Sequence, residues 1–329
     1  MEIIRKECTV SKVVATSRIY ALISVVCAHL PFADSVIGTL FERFGTVGVI
    51  VFFIISGYYY NSGKFQNIKD LIVKKFKSVC VPWLVLGSFV WLYNVILSSK
   101  FRSITGYIKW ILGNGTFLYY VPMLLLCFAL LYRASVKTLK IFVMVNVISV
   151  VLTASGILAS LIELLHITNY LNIFNWIGFF ALGMLLREFD ETTLIRFLLK
   201  ARWIVTPCFG LLLIIAVILR SWNFTYFSYL GIPFELLGAL TVFSVSTMPL
   251  VKWAFFSRLS DCSYAIYLTH MVFVGLLDSL LNKSLFSQIV SPLIIILAVY
   301  MLLMVGLFVF NKAKLSKWYC LVTGIRIKI

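Results

Sequence analysis

The chain has 329 residues, of which 62% are hydrophobic and only 12% charged, and its formal net charge is +17. A soluble domain carries roughly a quarter of its residues as charges, so this composition excludes an ordinary soluble globule and points to a polytopic membrane protein. The positive excess lies in the short gaps between apolar runs, which reads as topology signals and contacts with anionic lipid, not as nucleic-acid binding.

Ten apolar runs follow one another, at residues 13–33, 45–60, 79–98, 116–132, 139–160, 171–186, 203–220, 226–250, 262–281 and 288–311. They predict an all-α, polytopic integral membrane protein of ten transmembrane helices. With the N-terminus inside, the cytoplasmic segments hold 22 Lys and Arg and the opposite segments six, which places both termini in the cytoplasm. No repeat, low-complexity tract or linker breaks the pattern, so residues 1–329 read as one transmembrane domain without a soluble extension. The seven cysteines, at 8, 27, 80, 127, 208, 262 and 320, show neither close pairs nor metal-ligand spacing and read as small apolar fillers. The residues "SVV" before Cys27 lack the small side chains of a lipoprotein cleavage site, so the first helix reads as uncleaved.

The first run, "SRIYALISVVCAHLPF", places Arg18 and His29 inside one membrane-length segment. Eleven residues make almost three turns, so both fall on one helix face, roughly 16 Å apart. Alone, Arg18 reads as a snorkelling anchor and His29 as a hydrogen-bonded bundle residue. Together they mark a pathway or a site. Pro31 has no N–H to give back, so a free Cys27 carbonyl is expected beside His29.

In the second run, "VFFIISGYYYNSG", Ser56 and Gly57 let backbones approach closely, and the tyrosines suit a membrane interface. The loop "KFQNIKDLIVKKFKSVCVPW" brings Lys74, Lys75 and Lys77 to the third run. It reads as a positive-inside cluster or as a phosphate site built from point charges. Tyr119 and Tyr120, opening the fourth run in "GTFLYYVPMLLLC", also read as interfacial. Glu235 in the eighth run is a buried-acid candidate with no partner assigned by spacing. In "LSDCSYAIYLTH" of the ninth, Ser263, Tyr267 and His270 share one face, for interhelical hydrogen bonding or for lining a site.

Taken together, Arg18-x10-His29, "FFIISGYYY", the basic run ending in "VPW", "LYYVPMLLL" and "SYAIYLTH" give most of the chain a pattern that resembles the acyltransferase 3 family of membrane O-acyltransferases. The resemblance implies transfer of an acyl group, commonly acetyl, from cytoplasmic acyl-CoA to a sugar hydroxyl of a cell-envelope polysaccharide or its lipid-linked precursor. It implies acetyl-CoA or another acyl-CoA as a substrate rather than a resident cofactor, no metal, a glycan or glycolipid acceptor, and residence in the cytoplasmic membrane. His29 matches the motif histidine required for transfer, Arg18 the arginine of the acyl-CoA site, and Ser56 with Gly57 the second-helix signature. The chain departs from the pattern twice. Lys74-x-x-Lys77 stands where many members have Arg-x-x-Arg, replacing a bidentate fork by point charges. Phe117, Leu118 and Tyr119 stand where His-Leu-Trp is common.

On this reading His29 acts as general base on the sugar hydroxyl, or accepts the acyl group and passes it on. Arg18, Lys74 and Lys77 meet the donor, and Ser56, Tyr267 and His270 line the site. The rival reading is a transporter or flippase of a lipid-linked sugar, which the lack of an inverted repeat and of paired broken spans disfavours. A membrane glycosyltransferase ranks third, since only 12 residues are acidic and the loops are short.

Overall fold

The structure, a computed structural model, describes residues 9–32, 35–98, 103–220, 222–248, 253–281 and 284–326. Every regular element among them is helical. Cys8 and the counted charges Arg5, Lys6, Lys100, Arg102, Lys252, Lys283 and Lys328 lie outside the described residues.

Helix α1 (Val10–Ala28) starts on a Thr9 cap, and α2 (Val36–Tyr59) on a Ser35 cap, whose hydroxyl accepts the Gly38 N–H. Next, α3 (Ile68–Lys75) passes through one π-helical turn, Phe76–Cys80, into α4 (Val81–Ser98). Pro82 offers no N–H, so the ladder before it relaxes, and the Val81 N–H reaches five residues back to the Phe76 carbonyl. Then come α5 (Ile104–Ile111), a 3-10 turn at Phe117–Tyr119 leading into α6 (Tyr120–Leu130), α7 (Val136–Ala154), α8 (Ala159–Leu164) and α9 (Ile177–Leu186). The chain continues through α10 (Glu191–Ile218), α11 (Gly231–Val245), α12 (Trp253–Asp261), α13 (Ser263–Leu281), α14 (Leu285–Lys312) and α15 (Ser316–Thr323).

Each of the ten apolar runs is occupied by a helix. Among the described residues, six helical stretches are long and apolar enough to cross a membrane: α1, α2, the continuous α3–α4 stretch, α7, α10 and α14. The helices of the fourth, sixth, eighth and ninth runs are apolar but have only 10–17 residues in their apolar stretches, shorter than the expected full spans.

The α1–α2 hairpin is the centre of the bundle. Of the most apolar window of α1, 67% is buried inside the protein, against 11% for α10, which turns Trp203, Ile204, Leu211 and Ile214 outward. Around the hairpin, α9, α10 and α11 pack on α2, and α12, α13 and α14 on α1. The α2–α9 contact needs glycine on both sides. A Cβ on Gly57 would lie 2.0 Å from the Phe180 carbonyl oxygen, and one on Gly183 would lie 2.0 Å from that of Ile54.

Several expectations change. Helix α1 ends at Ala28, so His29 is the residue that caps it and not part of a continuous Arg18–His29 face. The Cys27 carbonyl is not free: the Leu30 N–H turns back to it at 3.2 Å, because Pro31 stops the ladder one residue later. The second helix begins nine residues before its apolar run, so Arg43 is a buried helix residue beside Glu42, 3.1 Å away, and not a loop charge. Tyr119 and Tyr120 are buried in the core instead of interfacial, since the bundle closes over the start of α6.

Candidate active site

A cavity of about 150 Å³ opens at the end of the bundle where α2 ends and α13 begins. Six parts of the chain build it. Arg18 comes from α1, Ser56 and Tyr59 from α2, and Lys75 and Ser78 from the π-turned segment. Tyr120 comes from α6, and Ser260, Asp261, Ser263, Tyr264 and Tyr267 from the α12–α13 junction. The last contribution is Arg326. The chain reverses after α15 at Gly324, whose φ of 73° is left-handed and whose Cβ would meet Pro82 and Tyr264 at 3.0 Å, so only glycine is at ease there. The Arg326 N–H then donates to the Asp261 carbonyl at 3.3 Å. The Tyr264 hydroxyl donates to the Val79 carbonyl at 2.9 Å and ties α13 to the π-turn.

The lining carries three cations, Arg18, Lys75 and Arg326, against one acid, Asp261. Burial raises the pKa of the Asp261 carboxyl, and the Arg18 and Arg326 charges partly offset this. The Arg18 guanidinium lies over the Tyr59 ring at 5.6 Å, and the Lys75 ammonium over the Phe128 ring at 3.7 Å. Lys74 and Lys77 are not part of the cavity. Lys74 is exposed and paired with Asp70 at 3.0 Å, and Lys77 is exposed.

At its deep end the cavity meets an aromatic layer. Ser56 Oγ and the Tyr120 hydroxyl lie 3.2 Å apart, and the Tyr120 and Tyr267 rings are centred 5.5 Å apart. The Tyr267 hydroxyl donates to the Phe117 carbonyl. Behind this layer three rings meet. His29 and His270 are centred 5.2 Å apart, and Phe117 lies 6.0 Å from the first and 5.3 Å from the second. His270 is fully buried and its Nδ1 is 2.7 Å from the Tyr267 carbonyl. A carbonyl only accepts, so Nδ1 carries the proton and Nε2 presents a lone pair. Nε2 is buried without a hydrogen-bond partner. His29 is only partly buried.

The structure thus brings Arg18, Ser56 and Tyr267 into one cavity and sets His29 against His270 beyond it. Sequence reasoning passed over Lys75 as one lysine of a cluster and counted Arg326 only as a cytoplasmic topology charge. It also missed Tyr120 and Phe117 as the divide. The one signal for Arg326 is a glycine that follows a short helix near the end of the chain.

Three cations facing one acid suit an anionic ligand. No curated protein and no solved structure matches the chain. A family model described as an acyltransferase domain matches residues 16–312, from within α1 to the end of α14, and so includes both Arg18 and His29 and leaves Arg326 beyond its limit. With nearly its whole length matched, and with apolar helices that suit several membrane crossings, the chain belongs to the acyltransferase 3 family and is a multi-pass membrane acyltransferase.

Proposed function

We propose that the protein moves an acetyl group from cytoplasmic acetyl-CoA to a sugar hydroxyl of a cell-envelope polysaccharide or its lipid-linked precursor, in the cytoplasmic membrane with both termini inside. The observation that carries this reading is the three-cation cavity lined at its deep end by Tyr120 and Tyr267, with the His29–His270 pair beyond those rings. Cationic side chains suit the phosphates of the donor. The Lys/Arg excess on the side of the cavity supports a cytoplasmic opening.

In the direct form of the reaction, His29 takes the proton of the sugar hydroxyl as its oxygen attacks the thioester carbonyl. The C–S bond breaks, and His29 returns the proton to the leaving thiolate, which departs as the free thiol. In the two-step form His29 attacks the thioester carbonyl first, the C–S bond breaks and the thiolate leaves as the thiol with the imidazole proton; the sugar oxygen then attacks the acetyl group, the C–N bond breaks, and the hydroxyl proton stays on His29. Either form uses His29 at the reacting atoms. His270 positions it, with the Nε2 lone pair available to an N–H of its neighbour.

The test is mass spectrometry of envelope glycans from cells with the wild-type gene, without it, and with His29→Ala. We expect one acetyl mass per repeat unit with the wild type alone, at equal membrane levels of both proteins. Identical glycans in all three strains would overturn the reading, and accumulation of untransported lipid-linked glycan in the deletion would favour the flippase.

A further inference from the structure

The matched domain ends at residue 312, yet Arg326 lines the cavity. The chain between them folds back as a strap. Helix α15 packs on α4 and α14, and the Tyr319 hydroxyl donates to the Leu303 carbonyl at 3.0 Å. Gly324 then turns the chain, Ile325 is buried, and the Arg326 N–H donates to the Asp261 carbonyl at 3.3 Å. The main chain under Arg326 is therefore fixed, while its side chain is exposed and stands at the cavity mouth.

The three cations of the cavity are not equivalent. The Arg18 guanidinium lies over the Tyr59 ring and the Lys75 ammonium over the Phe128 ring, and both residues are partly buried. Among the described residues the Arg326 side chain makes no hydrogen bond, ion pair or ring contact. A planar fork on a fixed backbone loses little freedom when it takes up an oxyanion, and it matches two phosphate oxygens at once. Against the three cations stands one acid, Asp261, so the lining carries two positive charges in excess. Like charges that line one cavity repel, and an anion of matching charge relieves the repulsion. A carboxylate supplies one charge at one point. A diphosphate diester supplies two, with free oxygens on both phosphorus atoms, so that two cations can engage it from different sides.

We propose that Arg326, carried into place by the strap, binds the diphosphate of a nucleotide-linked donor at the cavity mouth, with Lys75 as the second cation on the same group. That this nucleotide is acyl-CoA rests on the function proposed above, but the diphosphate contact itself does not. The experiment therefore measures binding without acceptor. Full-length protein in lipid nanodiscs is titrated calorimetrically with CoA, 3′-dephospho-CoA and ADP, all of which carry the diphosphate, at one ionic strength. The variants are Arg326→Gln, Arg326→Lys and Lys317→Gln. Lys317 lies on the same strap, exposed and outside the cavity, and controls for loss of charge alone. We expect Arg326→Gln to raise Kd for all three ligands about tenfold. Arg326→Lys, which keeps the charge and loses the fork, should raise it about threefold, and Lys317→Gln less than about twofold. If Arg326→Gln fails to fold, judged by its melting temperature, Arg326→Lys decides. No binding of any ligand to the wild type, wild-type curves in the folded Arg326 variants, a loss confined to CoA, or an equal loss in Lys317→Gln would overturn the assignment. A loss confined to CoA would put Arg326 on the 3′-phosphate instead. Wild-type affinity as high for ADP as for CoA, with the same loss in Arg326→Gln, would keep the diphosphate site and overturn only the acyl-CoA reading.

Discussion

Lys74, Lys75 and Lys77 look equivalent in sequence, but only Lys75 lines the cavity. Replacing each in turn by methionine keeps the length of the side chain and removes the charge. A charged hydrogen bond contributes about 1.5–3 kcal/mol. Because Lys75 is partly exposed, solvent screening argues for the lower end of that range. At 1.36 kcal/mol per factor of ten, about 1.5 kcal/mol raises the acetyl-CoA KM roughly tenfold. Lys74 is already paired with Asp70 at 3.0 Å and Lys77 is exposed outside the cavity, so their variants should stay within about twofold, as surface charges do. Lys75→Met also loses its contact over the Phe128 ring, a stability cost of about 0.5–1 kcal/mol, so melting temperatures accompany the kinetics. The assay is acetyl transfer by purified protein over a range of donor concentrations at low and high salt. Equal KM changes in all three variants would refute the placement of the donor, and so would a Lys75 effect confined to the acceptor KM.

Arg18→Lys keeps the charge but loses the planar fork, so we expect a roughly ten- to a hundredfold loss in kcat/KM for the donor, from about 1.5–3 kcal/mol of lost charged hydrogen bonding. Wild-type donor dependence in the lysine variant would leave Arg18 a membrane anchor. Gly57→Ala places a Cβ 2.0 Å from the Phe180 carbonyl oxygen, where contacts below 3.0 Å are not tolerated, so α2 and α9 must part by about 1 Å. Overpacking of this kind costs about 1–3 kcal/mol. Thermal unfolding in detergent should show a lowered melting temperature, and an unchanged one would refute the contact.

Much of this architecture is legible in the sequence because a bilayer demands apolar runs, and each run holds a helix. Arg18 and Tyr267 are legible as candidates, and both line the cavity, because an ionisable or phenolic group inside such a run has few other uses. The rest depends on geometry that hydropathy does not encode. Lys75 is singled out by a π-turn, whose extra residue rotates the chain by about 100° relative to an uninterrupted helix, and Pro82 is its only trace in sequence. Arg326 reaches the cavity through the reversal at Gly324. His29 meets His270 after its helix has ended.

The aromatic layer of Tyr120, Tyr267 and Phe117 has an electrical consequence. A membrane potential acts only on charges that move through it, at about 2.3 kcal/mol per charge per 100 mV. The cations of the cavity stay on one side of the layer and the histidine pair on the other. On the proposed reaction the donor's phosphates remain with those cations, the acetyl group passes the rings one way and the hydroxyl proton the other, and thioester, alcohol, thiol and ester are all neutral. Transfer across the membrane then performs no electrical work. It needs no ion gradient, and its rate should be the same in energised and de-energised vesicles.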